Sequence, residues 1–247
     1  MLVSDFDGVI IDGMDEYWWA ARRCAIRLDR RLAALPEAVP QTFRALRPHV
    51  LGGWEMPILA ASIGGLGPSP AAFSAAYGAS LQQALLALGW ERSRLEAGLD
   101  EVRQDALLRE RQSWLALHRP YPWMLSFLEG LQEAGTPWRV LTTKSASFTA
   151  ELLCRHGLRP EEVHGREDGP KPGVLARLLP TLPPRATVNF LEDRLASLLE
   201  MQQHPGLERV RGFLASWGYL LADDMERVPA SIAVLRPEDL QTPLANW

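Results

Sequence analysis

The chain opens with the stretch Leu2-Val3-Ser4-Asp5-Phe6-Asp7-Gly8-Val9-Ile10-Ile11. A short apolar run that leads into two acids one residue apart, and then into glycine, predicts a β-strand with carboxylates at its carboxyl end. Open α/β sheets keep their ligands at that end. Side chains alternate along extended backbone, so Asp5 and Asp7 can face one small volume. Because two such charges are favoured by a cation or a shared proton between them, we interpret the pair as a magnesium (Mg2+) site.

Polar residues also follow two later apolar runs and open one predicted helix. They are Thr142 and Thr143 after residues 138–141, Lys171 before Pro172, and Glu192 and Asp193 after residues 186–191. Each has an ordinary interpretation alone: a threonine can cap a helix, a lysine can lie in a solvated loop, and acids are favoured at helix N-termini. Their order and spacing together favour a single site instead.

The first two acids have the chemistry that cleavage of a phosphate ester requires. Asp5 is a carboxylate that can attack phosphorus and form an aspartyl-phosphate, which water later cleaves. Asp7 can protonate the leaving oxygen and afterwards deprotonate that water. We therefore expect Asp5 and Asp7 to be the catalytic residues.

The later residues can hold the phosphoryl group and the metal. The Thr142 hydroxyl, the Thr143 backbone N–H and the Lys171 ammonium are suitable donors to phosphoryl oxygens. Glu192 and Asp193 add hard oxygen ligands, which magnesium prefers.

The full set resembles the four motifs of the haloacid-dehalogenase-like (HAD) hydrolase superfamily: Asp5-Phe6-Asp7-Gly8-Val9, Thr142, Lys171-Pro172 and Glu192-Asp193. The resemblance implies that Asp5 is the phosphorylated nucleophile. It implies that Asp7 is the acid/base and also lends its backbone carbonyl to magnesium. It further implies that Thr142 and Lys171 hold the phosphoryl group, while Glu192 and Asp193 bind the metal with Asp5.

Two further features are similar to the phosphoglycolate-phosphatase-like and β-phosphoglucomutase-like branch, namely the Glu192-Asp193 form of the fourth motif and Trp217-Gly218-Tyr219. Thr142-Thr143-Lys144 looks like the Thr-Asn-Lys of that branch, with Thr143 in place of asparagine. Ser197 stands where relatives often carry an acid, so metal affinity could be weaker. The second aspartate, Asp7, argues against dehalogenation.

The order of elements predicts an α/β fold with an insertion. Residues 138–141, 186–191 and 210–215 are predicted strands. Strands that alternate with helices after residue 118 predict parallel crossovers, and hence a Rossmann-like doubly wound parallel sheet. Residues 14–118 show helical periodicity and no period-two pattern. Within them the pattern predicts one helix from residue 69 to about 88 and another from about 91 to 117. We therefore expect a HAD-like catalytic core of residues 1–13 and 119–247, and an inserted all-helical cap of residues 14–118.

The cap is expected to select the substrate, because the core sees little beyond the phosphate. Arg47 and Trp54 lie around the loop-like Gly52-Gly53, and we hypothesise that both approach the active site on closure. An ordinary interhelix loop with a core tryptophan is the alternative.

Composition sets the class of protein and its partners. With 47% apolar residues, 23% charged residues and a net charge of −4, the sequence predicts a soluble globular protein with no nucleic-acid or membrane partner. Cys24 and Cys154 are too few for a disulfide framework, and both are expected to be buried thiols. No targeting segment is expected before the first strand, so the predicted location is the cytoplasm.

Lysine usage is uneven. Of 26 basic residues, 24 are arginine, and the two lysines are Lys144 and Lys171. Both fall beside predicted strand ends, where a compact ammonium can be needed. Lys144 could face the cap or the surface.

The sequence therefore predicts a magnesium-dependent phosphatase that acts on a small phosphorylated metabolite through an aspartyl-phosphate. A phosphomutase acting on a sugar phosphate shares the same core and is the close alternative. A catalytically quiet interaction protein of HAD fold is an alternative of another class. The oligomeric state is left open.

Overall fold

A six-stranded parallel sheet underlies the structure, a computed structural model that describes residues 1–247 except for the side chain of Ala245. The strands are β1 (Leu2–Ser4), β2 (Ile11–Asp12), β3 (Arg119–Pro120), β4 (Trp138–Leu141), β5 (Val163–His164), β6 (Val188–Glu192), β7 (Val210–Ala215) and β8 (Ala233–Leu235). The order across the sheet is β5-β4-β1-β6-β7-β8, while β2 and β3 pair separately as an antiparallel ribbon. The predicted doubly wound parallel sheet is confirmed.

The strand order reverses at β1. The chain first extends the sheet through β4 and β5 on one side, and then continues from β6 to β8 on the other. Every residue of β1 and β6 is buried, as expected for strands with helices on both faces. The carboxyl ends of β1, β4 and β6 therefore meet at one edge, next to the reversal, where open sheets of this kind place their ligands.

Twelve α-helices accompany the strands in the described part of the chain. They are α1 (Met14–Leu28), α2 (Gln41–Leu46), α3 (Met56–Ile63), α4 (Pro70–Ala75), α5 (Tyr77–Leu88), α6 (Arg92–Arg109), α7 (Arg111–Ala116), α8 (Pro122–Glu133), α9 (Ala146–Arg155), α10 (Lys171–Leu178), α11 (Leu195–Gln203) and α12 (Asp224–Arg227). Among the described residues no helix is both long enough and apolar enough to cross a bilayer.

The chain divides into two units. Met1–Asp12 and Arg119–Trp247 form the core unit, which contains the sheet, and Gly13–His118 form the helical unit. One cluster in the core unit packs Val3, Phe190 and Leu214 of the sheet against Leu175 and Leu198 of the helices. In the helical unit, α1 packs on α6 through Ala20 and Cys24 against Leu99 and Val102.

The structure corrects two predicted helix lengths. The stretch expected to form one helix from residue 69 to about 88 is interrupted at Ala76, where φ is −153°. The stretch expected from about 91 to 117 is interrupted at Glu110, where φ is −141°. Neither residue is a glycine or a proline, so the sequence carries no breaker signal there. At the second break Glu110 forms an ion pair with Arg23 of α1, a contact that local sequence does not show.

One prediction about the cysteines is wrong. Cys24 is buried, but Cys154 is exposed. Cys154 lies on α9, whose buried face is formed by neighbours that include Leu152 and Leu153, so the thiol points away from the core.

Candidate active site

The loop after β1 sets the two aspartates at the sheet edge. The Asp5 backbone N–H donates to Leu191 O of β6 at 2.8 Å, which holds the residue at the end of two adjacent strands. Phe6, between the two acids in sequence, is completely buried, and the Asp5 carboxylate is near enough to that of Asp7 for the two charges to interact. Gly8 turns the chain with a φ of +86°, a region that favours glycine.

Lys171 lies between two buried carboxylates. Its Nζ is 2.9 Å from Asp5 Oδ1 and 2.6 Å from Glu192 Oε2. Lys171 is the first residue of α10, and Glu192 is the last residue of β6. The structure therefore brings together three of the residues that the sequence selected, from three separate parts of the chain.

Burial dominates the electrostatics of these groups. Burial, with the nearby Glu192 carboxylate, raises the pKa of Asp5 to about 7 despite the opposing effect of Lys171. Burial likewise raises the pKa of Glu192. Burial alone would lower the pKa of Lys171, but the carboxylates of Asp5 and Glu192 outweigh that effect and hold it above its ordinary value. The ammonium is charged, and negative charge on the two acids needs further compensation.

The acids fit a divalent cation. One oxygen from each of Asp5, Glu192 and Asp193 lies within 4.8 Å of the other two, and all three residues are buried. Three carboxylates share this space with the single ammonium of Lys171, so a cation with hard oxygen ligands suits both the charge and the donor set. The Asp7 carboxylate stands outside this set, and its backbone carbonyl remains the predicted ligand from that residue.

Two glycines make room for Asp193. A Cβ added to Gly8 would overlap Asp193 Oδ2, and one added to Gly218 would overlap Asp193 Cβ. The same oxygen accepts the Tyr219 backbone N–H at 2.7 Å. The carboxylate is thus held by backbone that approaches from two loops.

Trp217 and Tyr219 hold the loop that carries the aspartates. Trp217 Nε1 donates to Val9 O at 3.0 Å, and the Tyr219 hydroxyl donates to Asp12 Oδ1 at 2.7 Å. Trp217-Gly218-Tyr219 therefore contributes to both the acid loop and the Asp193 position, which the sequence indicated only through its resemblance to relatives.

The turn after β4 supplies the predicted phosphate-binding residues. Thr142 is buried, and its Oγ1 accepts the Lys144 backbone N–H at 3.1 Å, which leaves the hydroxyl hydrogen able to donate. Thr143 is exposed at the same turn.

Lys144 belongs to the site, although the sequence left its position open. Its side chain is only 3% exposed, and its Nζ lies 3.4 Å from Asp7 Oδ1. The one signal in the sequence was that arginine replaces lysine everywhere except at positions 144 and 171.

The two residues expected to select the substrate lie in the helical unit. The Arg47 guanidinium is 4.5 Å from the ring centroid of Tyr17, and the Arg92 guanidinium is 5.4 Å from that of Trp54. Both Arg47 and Trp54 are partly buried. Their contact with a substrate stays a prediction.

Comparison with known proteins rests on structure. No protein-family model matches the sequence, and no curated protein matches it significantly. Among solved structures, a predicted phosphatase from Clostridium acetobutylicum is 13% identical with a TM-score of 0.63, over 100% of this chain and 98% of that one. A haloacid dehalogenase-like hydrolase from Streptococcus pneumoniae is 13% identical with a TM-score of 0.58, over 97% and 95% of the respective chains.

A third structure is a predicted phosphoglycolate phosphatase from Haemophilus somnus. It is 15% identical with a TM-score of 0.60, and the match covers 98% of this chain and 96% of that one. The chain has the HAD-like hydrolase fold. The HAD-like fold agrees with the sheet order and with the acids at the end of β1.

Proposed function

We propose that the chain is a magnesium-dependent phosphatase that hydrolyses a small phosphorylated metabolite through an aspartyl-phosphate on Asp5. The observation that carries this proposal is the position of Lys171, 2.9 Å from Asp5 and 2.6 Å from Glu192. A nucleophile, a phosphoryl-binding cation and metal-binding acids thereby share one small volume at the sheet edge. Solved structures with the same fold include proteins named as phosphatases.

The residues act in two steps in this proposal. In the first step Asp5 attacks phosphorus, the bond to the ester oxygen breaks, and Asp7 gives its proton to that oxygen. In the second step Asp7 takes a proton from water, which attacks the aspartyl-phosphate and regenerates the Asp5 carboxylate. Lys171, the Thr142 hydroxyl and the Thr143 backbone N–H hold the phosphoryl oxygens.

Magnesium would be held by Asp5, Glu192 and Asp193, with the Asp7 backbone carbonyl as the further expected ligand. When bound, the ion neutralises negative charge on the phosphoryl group and on the attacking carboxylate. The carboxylates of Glu192 and Asp193 would hold the ion, and the Tyr219 backbone N–H fixes Asp193.

The experiment is hydrolysis of p-nitrophenyl phosphate with magnesium or with chelator. We expect activity that requires magnesium and that falls by on the order of 10³-fold or more in Asp5→Asn, since the nucleophile is removed. The matched control is Asp223→Asn, a change at an exposed acid, which should keep full activity. Folded wild-type protein with no magnesium-dependent hydrolysis would favour the interaction protein instead.

Product analysis separates hydrolysis from transfer. With a sugar phosphate as substrate, a phosphatase releases inorganic phosphate in step with loss of substrate. A phosphomutase instead returns an isomeric sugar phosphate, so the products decide between the two proposals.

We also propose that the helical unit is the cap that selects the substrate. The support is that Arg47, beside the ring of Tyr17, and Trp54, beside Arg92, provide a cation and an aromatic surface, both partly buried in that unit. Arg47→Ala should change relative rates across a panel of phosphate esters more than it changes the rate with p-nitrophenyl phosphate. An unchanged profile across the panel would remove Arg47 from this role.

A cytoplasmic location is proposed as well. Its support is that Cys24 and Cys154 are both free thiols, one of them exposed, which suits a reducing compartment. Cell fractionation with an antibody to the protein tests it.

A further inference from the structure

The two lysines of the chain each pair with one of the two loop aspartates. Lys171 Nζ lies 2.9 Å from Asp5 Oδ1, and Lys144 Nζ lies 3.4 Å from Asp7 Oδ1. Every other basic residue is arginine. Lys171 is proposed to bind the phosphoryl group. Lys144 has no role in the two steps of the proposed reaction.

The Lys144 backbone is fixed at the end of β4. Its N–H donates to Thr142 Oγ1 at 3.1 Å, and its carbonyl accepts the Arg166 N–H at 3.1 Å. Its side chain is 3% exposed, so the ammonium is confined rather than mobile in solvent. A confined cation can fix the orientation of the group that it contacts.

The contact distinguishes the two oxygens of Asp7. Within the described residues, Asp7 Oδ1 is buried and accepts no hydrogen bond, and the Lys144 ammonium lies 3.4 Å away. An ammonium donates hydrogen bonds and has no acceptor atom for a proton carried by a neighbouring group. Oδ1 thus faces a group that cannot accept a proton, and the proton that Asp7 delivers is assigned to the other oxygen, Oδ2.

We propose that Lys144 is a positioning residue that holds the Asp7 carboxyl so that Oδ2 delivers the proton to the leaving oxygen. This inference rests on the proposed phosphatase function. As the bond from Asp5 to phosphorus forms, the ester P–O bond breaks and its electron pair stays on the leaving oxygen. That oxygen takes the proton from Asp7 Oδ2, and the resulting carboxylate is stabilised by the adjacent ammonium of Lys144.

The role can be separated from a structural one by the choice of ester. A p-nitrophenolate is a stable anion and departs without a proton, whereas an alkoxide needs one as it leaves. Loss of Asp7 positioning should therefore affect alkyl phosphates much more than p-nitrophenyl phosphate. Damage to the fold or to phosphoryl binding should affect both esters alike.

The experiment compares Lys144→Met with wild type on p-nitrophenyl phosphate and on the alkyl phosphate that wild type hydrolyses best. We expect kcat on the alkyl ester to fall by on the order of 10- to 100-fold, part of the usual contribution of general acid catalysis, with KM little changed. The kcat on the aryl ester should fall by less than about 3-fold, because its leaving group needs no proton. Lys171→Met is the matched control and should lower both rates to a similar degree.

The outcomes are separable. Equal losses on the two esters, or no loss, in a folded Lys144→Met protein would overturn the role of Lys144 while leaving the phosphatase in place. If Lys144→Met does not fold, the same ratio is read from Lys144→Gln. Failure of both variants to fold would make Lys144 structural and overturn the inference. Absence of hydrolysis by wild type would instead overturn the proposed function on which it rests.

Discussion

The Nζ of Lys171 lies 2.6 Å from Oε2 of Glu192, a carboxylate with no exposed surface. The same ammonium is 2.9 Å from Asp5, so one cation serves two buried anions. A buried charge is tolerated only when it is paired, because its loss of hydration is large. Lys171 is therefore needed for the fold of this edge, in addition to the phosphate binding proposed for it.

Lys171→Met should destabilise the core unit in the presence of chelator. Removal of one partner of a buried ion pair costs about 3–5 kcal/mol, because the remaining charges are left uncompensated. The free energy of unfolding from urea denaturation measures the loss. Arg227→Met is the matched control, since the Arg227–Asp223 pair is exposed and should contribute less than about 1 kcal/mol. Equal stability of wild type and Lys171→Met would contradict the interpretation.

Gly218→Ala should weaken magnesium binding. The added methyl group would overlap Asp193 Cβ, and it would also crowd the carbonyl of Gly8, so the carboxylate must move from its position beside the Tyr219 N–H. Titration calorimetry with magnesium is the measurement, and a lower affinity is the expected result. Gly130→Ala is the control, because a Cβ there has no neighbour within 4 Å and lies inside α8. An affinity unchanged by Gly218→Ala would show that Asp193 does not need this fixed position.

Arg103→Met should destabilise the helical unit. Arg103 donates to both oxygens of the fully buried Glu16, at 2.8 and 3.0 Å. Loss of the guanidinium removes both of these charge-assisted hydrogen bonds from a buried carboxylate, at a cost of about 3–5 kcal/mol in the free energy of unfolding. Arg92→Met removes an exposed pair with Glu96 four residues on and a contact with the Trp54 ring, and should cost no more than about 1 kcal/mol. Similar losses of stability in the two variants would contradict the importance expected of the buried Arg103–Glu16 pair.

Only one thiol should react rapidly in the native protein. Cys154 is exposed, whereas burial raises the pKa of the Cys24 thiol to about 11. At pH 8 the thiolate fraction of Cys24 is then about one in a thousand, and only the thiolate is nucleophilic. A chromogenic disulfide reagent should therefore report one thiol before unfolding and two after it. Rapid reaction that persists in Cys154→Ser would contradict the expected burial of Cys24.

The Cys24 thiol also affects stability in alkali. The folded state keeps it protonated up to a pH of about 11, whereas the unfolded chain ionises it near its ordinary value of 9.0. Between these values the folded state binds more protons, so its free energy of unfolding falls as the pH rises. Cys24→Ala should remove this part of the alkaline decline.

Local patterns were sufficient for the strands that carry the site. Trp138–Leu141 and Val210–Ala215 form strands with the bounds that the sequence predicted, because each is a compact apolar run between polar turns. The acids after β1 and at the end of β6 follow from the same rule. The polar residues on either side mark where each run begins and ends. The parallel order of the strands then brings their carboxyl ends together.

Features that depend on tertiary contacts were not visible in the sequence. The helix breaks at Ala76 and Glu110 have no local signal, and the outward direction of Cys154 depends on which face of α9 packs. The contact of Lys144 with Asp7 depends on how the turn after β4 folds back, which spacing does not determine. Lysine scarcity pointed to the residue but not to its partner.

The antiparallel ribbon of β2 and β3 pairs Ile11 with Pro120 and Asp12 with Arg119. The 106 residues of the helical unit thus leave and re-enter the sheet-bearing unit at neighbouring backbone positions. Because only its two ends are constrained, an insertion of almost any length can be accommodated at this position. Evolution or a protein engineer can therefore exchange the insert while Asp5 and Asp7 stay in place.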